Sequence, residues 1–207
     1  EGPRFKRLGK TGLGFVPGSA RAMYSFRRGE KEVLVIDGHE GPACQSTRSL
    51  SFAPDGSRYA YAAELEKDKW VVVVDGVIHG PGGPWKDGKG RTYQKLGKRT
   101  PNLSTDGQRV AWVGVQEEGW KVVVDFVESP TYDIVQRSAL EFSPDGRHVA
   151  YCAQRQGKKM IIVDRIEIDN GWDGFRPQDS IVWQDARRFS IRASKNPRYL
   201  LVEVTLP

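Results

Sequence analysis

The strongest pattern in the chain is a short apolar run that ends on aspartate and returns four times. It reads Val33-Leu34-Val35-Ile36-Asp37, Val71-Val72-Val73-Val74-Asp75, Val122-Val123-Val124-Asp125 and Ile161-Ile162-Val163-Asp164. Unbroken β-branched runs of this length, bounded by turn residues, predict strands buried on both faces. Upstream of each run stands a turn glycine: Gly18, Gly56, Gly107 or Gly146, at distances of 19, 19, 18 and 18 residues from the aspartate. Four residues after each glycine comes alanine (Ala22, Ala60, Ala111, Ala150), and then a large side chain (Met23, Tyr61, Trp112, Tyr151). Neighbouring residues of a strand point to opposite faces. One face of this strand is therefore small and the other filled, as wedge-shaped stacking of sheets requires. Helical periodicity is absent.

Each unit reads as strand A, a tight turn, strand B, a charged loop, strand C, an Asp turn and a looser outer strand D. Asp37-Gly38 and Asp75-Gly76 have the chemistry of hairpin turns with positive φ. The turn before strand B is carried by Phe52-Ala53-Pro54-Asp55-Gly56, Leu103-Ser104-Thr105-Asp106-Gly107 and Phe142-Ser143-Pro144-Asp145-Gly146. Phe15-Val16-Pro17-Gly18 is a worn copy, and the segment from Ile191 to Asn196 suggests another. Successive strand A positions lie 37, 51, 39 and 49 residues apart, and the extra length falls in insertions at 80–99 and 169–185. Repetition at this period means units that bury their apolar faces only by stacking on one another.

The stretch from Phe142 to Tyr151 (Phe-Ser-Pro-Asp-Gly-Arg-His-Val-Ala-Tyr) resembles the TolB-type, or WD40-like (PD40), β-propeller repeat, and Phe52 to Tyr61 matches nearly as well. The Val-Val-Val-Asp-Gly ending of strand C is similar to a bacterial subset of such repeats. The resemblance implies an all-β propeller of four-stranded antiparallel blades forming a single domain over 1–207, with units near 13–49, 50–100, 101–138 and 139–187. Glu1-Gly2-Pro3 is similar to Glu40-Gly41-Pro42, which opens a strand D. The expected architecture is thus five blades, the last divided between 188–207 and 1–12 and lacking a strand C. A piece of a six-bladed propeller is the alternative. The resemblance also leans towards a periplasmic or extracytoplasmic location, but leaves activity open, because propellers serve as scaffolds, receptors and enzymes.

The chain has 207 residues, 38% of them hydrophobic and 28% charged, which suits one substantial core rather than disorder. Its formal charge of +6 favours an anionic partner over a cationic one. Cys44 and Cys152 fall at different repeat positions and predict two free thiols. No apolar run approaches the about 20 residues of a membrane-spanning helix, and no signal peptide is expected within the chain. The first residue is Glu1 rather than Met, so a segment ahead of it is expected to have been removed or left out.

Charge sorts by face. The A–B and C–D turns carry Asp37, Asp55, Asp75, Asp106, Asp125, Asp145 and Asp164. The D–A connections carry cations just before strand A: Lys10, Arg48, Arg99, Arg137 and Arg187, with Arg188, Lys6, Arg7, Lys95 and Lys98 nearby. These predict a basic ring around one channel mouth that binds an acidic protein or other anionic partner, opposite a passive acidic face. Each cation contributes about 1 kcal/mol to a bound anion before salt screening. The plainer account is that Arg and Lys stems cover apolar rim while their charges stay solvated.

Aspartates before glycine serve turns better than metals, and the segment from Asp169 to Gly174 lacks the ligand alternation of a calcium loop. No metal or cofactor is expected. His39, His79 and His148 lie on different elements, and neither a nucleophile elbow nor a phosphate loop is present. The stretch 86–99 has six cations, Lys86, Lys89, Arg91, Lys95, Lys98 and Arg99, around Tyr93 and beside Trp85, a combination suited to single-stranded nucleic acid or simply to a solvated outer strand. A non-catalytic binding or scaffold propeller, acting as a monomer or within a larger assembly, is the function the sequence favours. An enzyme of hydrolase or lyase type with its site in the channel, or a structural subunit, is the alternative.

Overall fold

All four apolar runs are strands, and each is the third member of an antiparallel meander. The computed structural model describes residues 8–85, 89–136, 140–175, 181–196 and 198–207, without the side chains of 8, 10, 11, 169 and 170. The first sheet is β1 (Leu8–Phe15), β2 (Ala22–Arg28), β3 (Lys31–Ile36) and β4 (His39–Glu40). The second is β5 (Ser46–Phe52), β6 (Tyr59–Glu66), β7 (Lys69–Val74), β8 (Val77–Gly80) and β9 (Gly83–Pro84). In the third, β10 (Lys95–Leu96) and β11 (Asn102–Leu103) both pair with β12 (Val110–Gln116), followed by β13 (Gly119–Val124) and β14 (Val127–Glu128). The fourth repeats this with β15 (Ile134–Val135), β16 (Glu141–Phe142), β17 (Val149–Arg155), β18 (Lys158–Val163) and β19 (Ile166–Trp172). In the fifth, β20 (Gly174–Phe175) and β21 (Val182–Trp183) flank one side of β22 (Arg188–Lys195), and β23 (Arg198–Thr205) the other. The described residues form no helix, and so none long and apolar enough to cross a membrane.

The fold is a β-propeller, and its stacking follows the alternation of strand B. Ala60 of the second sheet shares a buried cluster with Trp112 of the third, Ala111 with Tyr151, and Ala150 with Ile191. The small face of each sheet thus receives the large side chain of the next. Fully burying a large apolar side chain contributes about 1.5–3 kcal/mol, so this pairing is a main source of cohesion. Polar tips are satisfied within it: Trp112 Nε1 donates to Tyr93 Oη at 3.1 Å, and the Tyr132 and Tyr151 hydroxyls lie 3.1 Å apart.

Two expectations are corrected. In the first unit, Ser19 N donates to Val16 O as Gly56 N donates to Ala53 O, so Ser19 and not Gly18 takes the turn-glycine place. Met23 and Tyr24 then match Ala60 and Tyr61, one residue on from the sequence alignment. With that shift, the turn-to-aspartate spacing is 18 in every unit except the second, whose extra residue is the irregularity between Glu64 and Glu66. The second correction concerns the last unit. Ile191 is not the start of a strand A: it lies on β22, paired with Val202, and packs where Tyr61 and Trp112 pack. The boundary placed between 187 and 188 therefore falls inside the fifth sheet, at the A–B turn. The strand C thought missing is β23.

Both cysteines are free and buried, as the sequence predicts.

Candidate functional site

The inner strands of three successive sheets border an open cavity of about 360 Å³, lined by Ser51 on β5, Asn102 and Leu103 on β11, Glu141 and Phe142 on β16, and by Arg99 and Thr105. The strands are held side by side by Leu103 N–H donating to Ser51 Oγ at 3.3 Å and Asn102 Nδ2 donating to Leu140 O at 3.4 Å. Ser51, Asn102 and Glu141 hold the same place in their units, one residue before Phe52, Leu103 and Phe142. Burial pushes the Glu141 carboxyl above its usual range, and the positive charge of Arg99 opposes the shift. The result is a half-buried carboxyl group beside an exposed guanidinium in a polar wall.

Arg99 is presented by local structure. The inner strand of the third sheet is broken between β10 and β11, and the intervening loop folds over Thr100, whose Oγ1 donates to Gly97 O at 3.3 Å and accepts from Val113 N at 3.3 Å. Thr100 is buried while Lys98 and Arg99 stay exposed. The second sheet pins the same loop: Arg48 Nη2 donates to Leu96 O at 3.0 Å and Ser49 Oγ to Lys98 O at 3.3 Å. Arg99 forms no ion pair among the described residues.

Two cations of the expected basic ring, Arg48 and Arg187, are engaged away from the cavity. Arg48 lies over the Trp70 ring, 4.0 Å from its centroid, and burial lowers its pKa from the ordinary value. It is a staple beneath the loop rather than an open cation. Arg187, in the β21–β22 turn, and Arg188, at the start of β22, sit on the opposite face, where Asp185 Oδ1 accepts both of their backbone N–H groups at 2.8 Å. The cause is the misplaced last strand: Asp185 is the turn aspartate of the fifth unit, equivalent to Asp145, and Arg188 stands where His148 stands. The Lys10 side chain and Arg137 lie outside the described residues, as do Lys6 and Arg7. Of the ring, only Arg99 is placed at the cavity.

On the opposite face, four of the turn aspartates, those of the C–D turns, have a basic side chain as partner. Arg21 pairs with Asp37 at 3.3 Å, Arg58 with Asp75 at 2.8 Å, Arg109 with Asp125 at 2.8 Å and His148 with Asp164 at 2.6 Å. Arg21, Arg58 and Arg109 also donate across to backbone carbonyls of the next sheet's turn. His148 instead stacks on Trp183 of the fifth sheet, ring centroids 6.5 Å apart. Oδ1 of Asp75, Asp125 and Asp164 accepts a backbone N–H of its own strand B at 2.8–3.0 Å. These residues build turns and join sheets, as their chemistry suggests. No three metal-ligating side chains cluster among the described residues, and the three histidines do not converge. Within 86–99, Tyr93 is buried core and Trp85 alone of the two aromatics borders a surface cleft; Lys86 lies outside the described residues.

No family model matches the sequence, and no curated protein is similar to it at a significant level. Solved structures are similar to it in fold. TolB from Acinetobacter baumannii is 12% identical over 94% of this chain, with a TM-score of 0.42. The chain spans about half the length of that structure, 51%. A puromycin-hydrolyzing peptidase from Mycobacterium tuberculosis is 14% identical over 96% of this chain and 36% of its own, with a TM-score of 0.48. The β-propeller domain of Cps50 (Swd1) from Myceliophteria thermophila is 13% identical over 97% of this chain and 68% of its own, with a TM-score of 0.42.

Proposed function

We propose that the protein is a non-catalytic binding propeller that engages an acidic polypeptide segment at the inner cavity, on the face where Arg99 stands. The observation that carries this reading is Arg99 itself: an exposed cation without an ion-pair partner among the described residues, held over a polar wall by a loop that Thr100 and Arg48 pin. Pre-ordering such a group spares the binding step the entropy of fixing it. Ser51, Asn102 and Glu141 supply hydrogen-bonding groups suited to a peptide backbone, and Arg99 a counter-charge for an acidic side chain. An Arg99→Ser variant tests this against Arg187→Ser, which removes a cation from the opposite face. Retention on immobilised poly-glutamate at low salt should fall for the first and stay unchanged for the second. Equal retention by wild type and Arg99→Ser would overturn the proposal.

One observation favours the enzymatic alternative. A half-buried carboxyl with a raised pKa in a cavity is the kind of group that serves as a general acid. The described cavity lining supplies neither a second carboxylate nor a nucleophile–base pair beside it, so binding is the better-supported reading. Hydrolytic turnover lost in Glu141→Gln would reverse that preference.

A further inference from the structure

A second cleft, of about 510 Å³, lies away from the inner cavity between the second and third sheets. Its walls are the β6–β7 hairpin, the outer hairpin of β8 and β9, Trp85 and residues 90–94 of the linker that follows, and the β12–β13 hairpin. Trp85 is one wall, and its orientation is over-determined. Its backbone N–H donates to Ile78 O at 2.8 Å and its Nε1–H to Arg91 O at 3.0 Å. The indole edge is packed so tightly that a Cβ added at Gly90 would come within 2.1 Å of Cδ1. The hairpin leading to Trp85 is tied to the third sheet through Gly82 N–H, which donates to Glu128 Oε1 at 2.9 Å, while Lys121 pairs with Glu128 at 2.8 Å.

Apart from Leu65, Pro81 and Gly90, the rest of the described lining is polar, and its formal charges cancel. Glu66 and Lys69 pair at 2.7 Å, and the described lining holds one further cation, Arg91, and one further carboxylate, Glu117. Thr92, Gln94 and Gln116 add a hydroxyl and two amides, groups that both donate and accept. Gln116 is buried, and its amide nitrogen reaches Glu128 at 3.5 Å. A polyanion gains nothing from such a lining, since nucleic-acid affinity rests on an excess of cations. A purely apolar ligand would strand the amides. A ring whose face is C–H and whose rim is hydroxyl satisfies both the indole and the amides.

We propose that this cleft is a carbohydrate site, taking a segment of a neutral oligosaccharide with one sugar ring against Trp85 and its hydroxyls on Gln94, Gln116 and Thr92. Calorimetric and saturation-transfer NMR titrations with short neutral glucose-, mannose- and N-acetylglucosamine-linked oligosaccharides test it, with oligo(dT) as the polyanionic comparison. At least one sugar should bind saturably at millimolar concentration, and Trp85→Ala should weaken it about tenfold or more. Gln94→Ala, an exposed position that folding does not need, and Gly90→Ala, which shifts the indole, should each weaken it less. These two decide the matter if Trp85→Ala misfolds. Absence of saturable binding by every sugar, or binding indifferent to the variants, would overturn the proposal. So would Trp85-dependent binding of oligo(dT) in place of sugar. Arg99→Ser should leave sugar binding unchanged, so this result stands or falls apart from the reading of the inner cavity.

Discussion

Arg58 Nε stands 2.8 Å from Asp75 Oδ2, and the same guanidinium donates through Nη1 to Gly107 O and Gln108 O of the next sheet at 3.1 and 2.7 Å. Asp75 meanwhile accepts Tyr59 N–H at 2.8 Å and sits at a φ of 49°. One aspartate thus closes its own turn and orients the arginine that reaches the neighbouring sheet. Asn tolerates positive φ and still accepts from Tyr59, so Asp75→Asn should cost about 1 kcal/mol or less, for a pair that is partly solvated. Asp75→Ala also loses the backbone bond and the tolerance for that φ, and should cost about 2 kcal/mol. Urea midpoints of the two variants measure the difference; equal costs would mean that only the charge matters.

His79 gives the fold a pH dependence. It is buried on β8 and stacks on Phe126 at 4.7 Å, near Trp112, and its Nδ1 has no hydrogen-bond partner among the described residues. Burial lowers its pKa from 6.5, while Asp75 opposes the shift. The folded state therefore binds this proton less readily than the unfolded chain. Stability is full above pH 6.5 and declines as pH falls through that value towards the lower folded pKa. His79→Phe keeps the stack and removes the titration. Urea titrations on either side of that pH should show a smaller loss in the variant than in the wild type.

Glu141 shows the opposite sign. Its folded pKa is raised above 4.5, so its contribution to stability is present below that value and is lost as pH rises through the folded pKa. The charged form is held in the cavity at a cost. Glu141→Gln should raise the thermal midpoint at pH 7.5 by about 1–4 °C and leave it unchanged near pH 4. Calorimetry at the two pH values checks this; a lower midpoint at neutral pH would mean that Arg99 outweighs the burial.

Arg48 and Arg99 should separate cleanly. Arg48→Met removes a cation–π contact with Trp70 and the bond to Leu96 O, costing about 1.5–3 kcal/mol. Arg99→Ser removes an exposed side chain and should change stability by less than about 0.5 kcal/mol. Thermal melts of the two proteins, run beside the poly-glutamate retention, distinguish the staple from the contact.

Strands B and C were legible because their signals are local: an apolar run, alternating small and large side chains, and turns that need Asp or Gly. The last unit was misread because its turn, Gln184-Asp185-Ala186-Arg187, has neither proline nor glycine. Phe189 and Ile191, alternating behind Asp185, carried the remaining signal. Glu141 was missed as well, although aligning the residue before Phe52, Leu103 and Phe142 gives Ser51, Asn102 and Glu141, three polar side chains on one wall.

The sequence by itself determined a repeated four-stranded meander and therefore a propeller, since periodicity and turn chemistry depend on neighbours along the chain. It also set the supply of cations. Only the tertiary structure decided what each cation does: Arg48 is spent on Trp70, Arg21, Arg58 and Arg109 on turn aspartates, and Arg99 faces the cavity. The physical reason is that a guanidinium's role depends on which carbonyls, rings and carboxylates its own and the adjoining sheet bring within about 3–6 Å. The carbonyl partners of Arg21 and Arg58 in the adjoining sheet lie 35 to 50 residues away, beyond the reach of any pattern read along the chain.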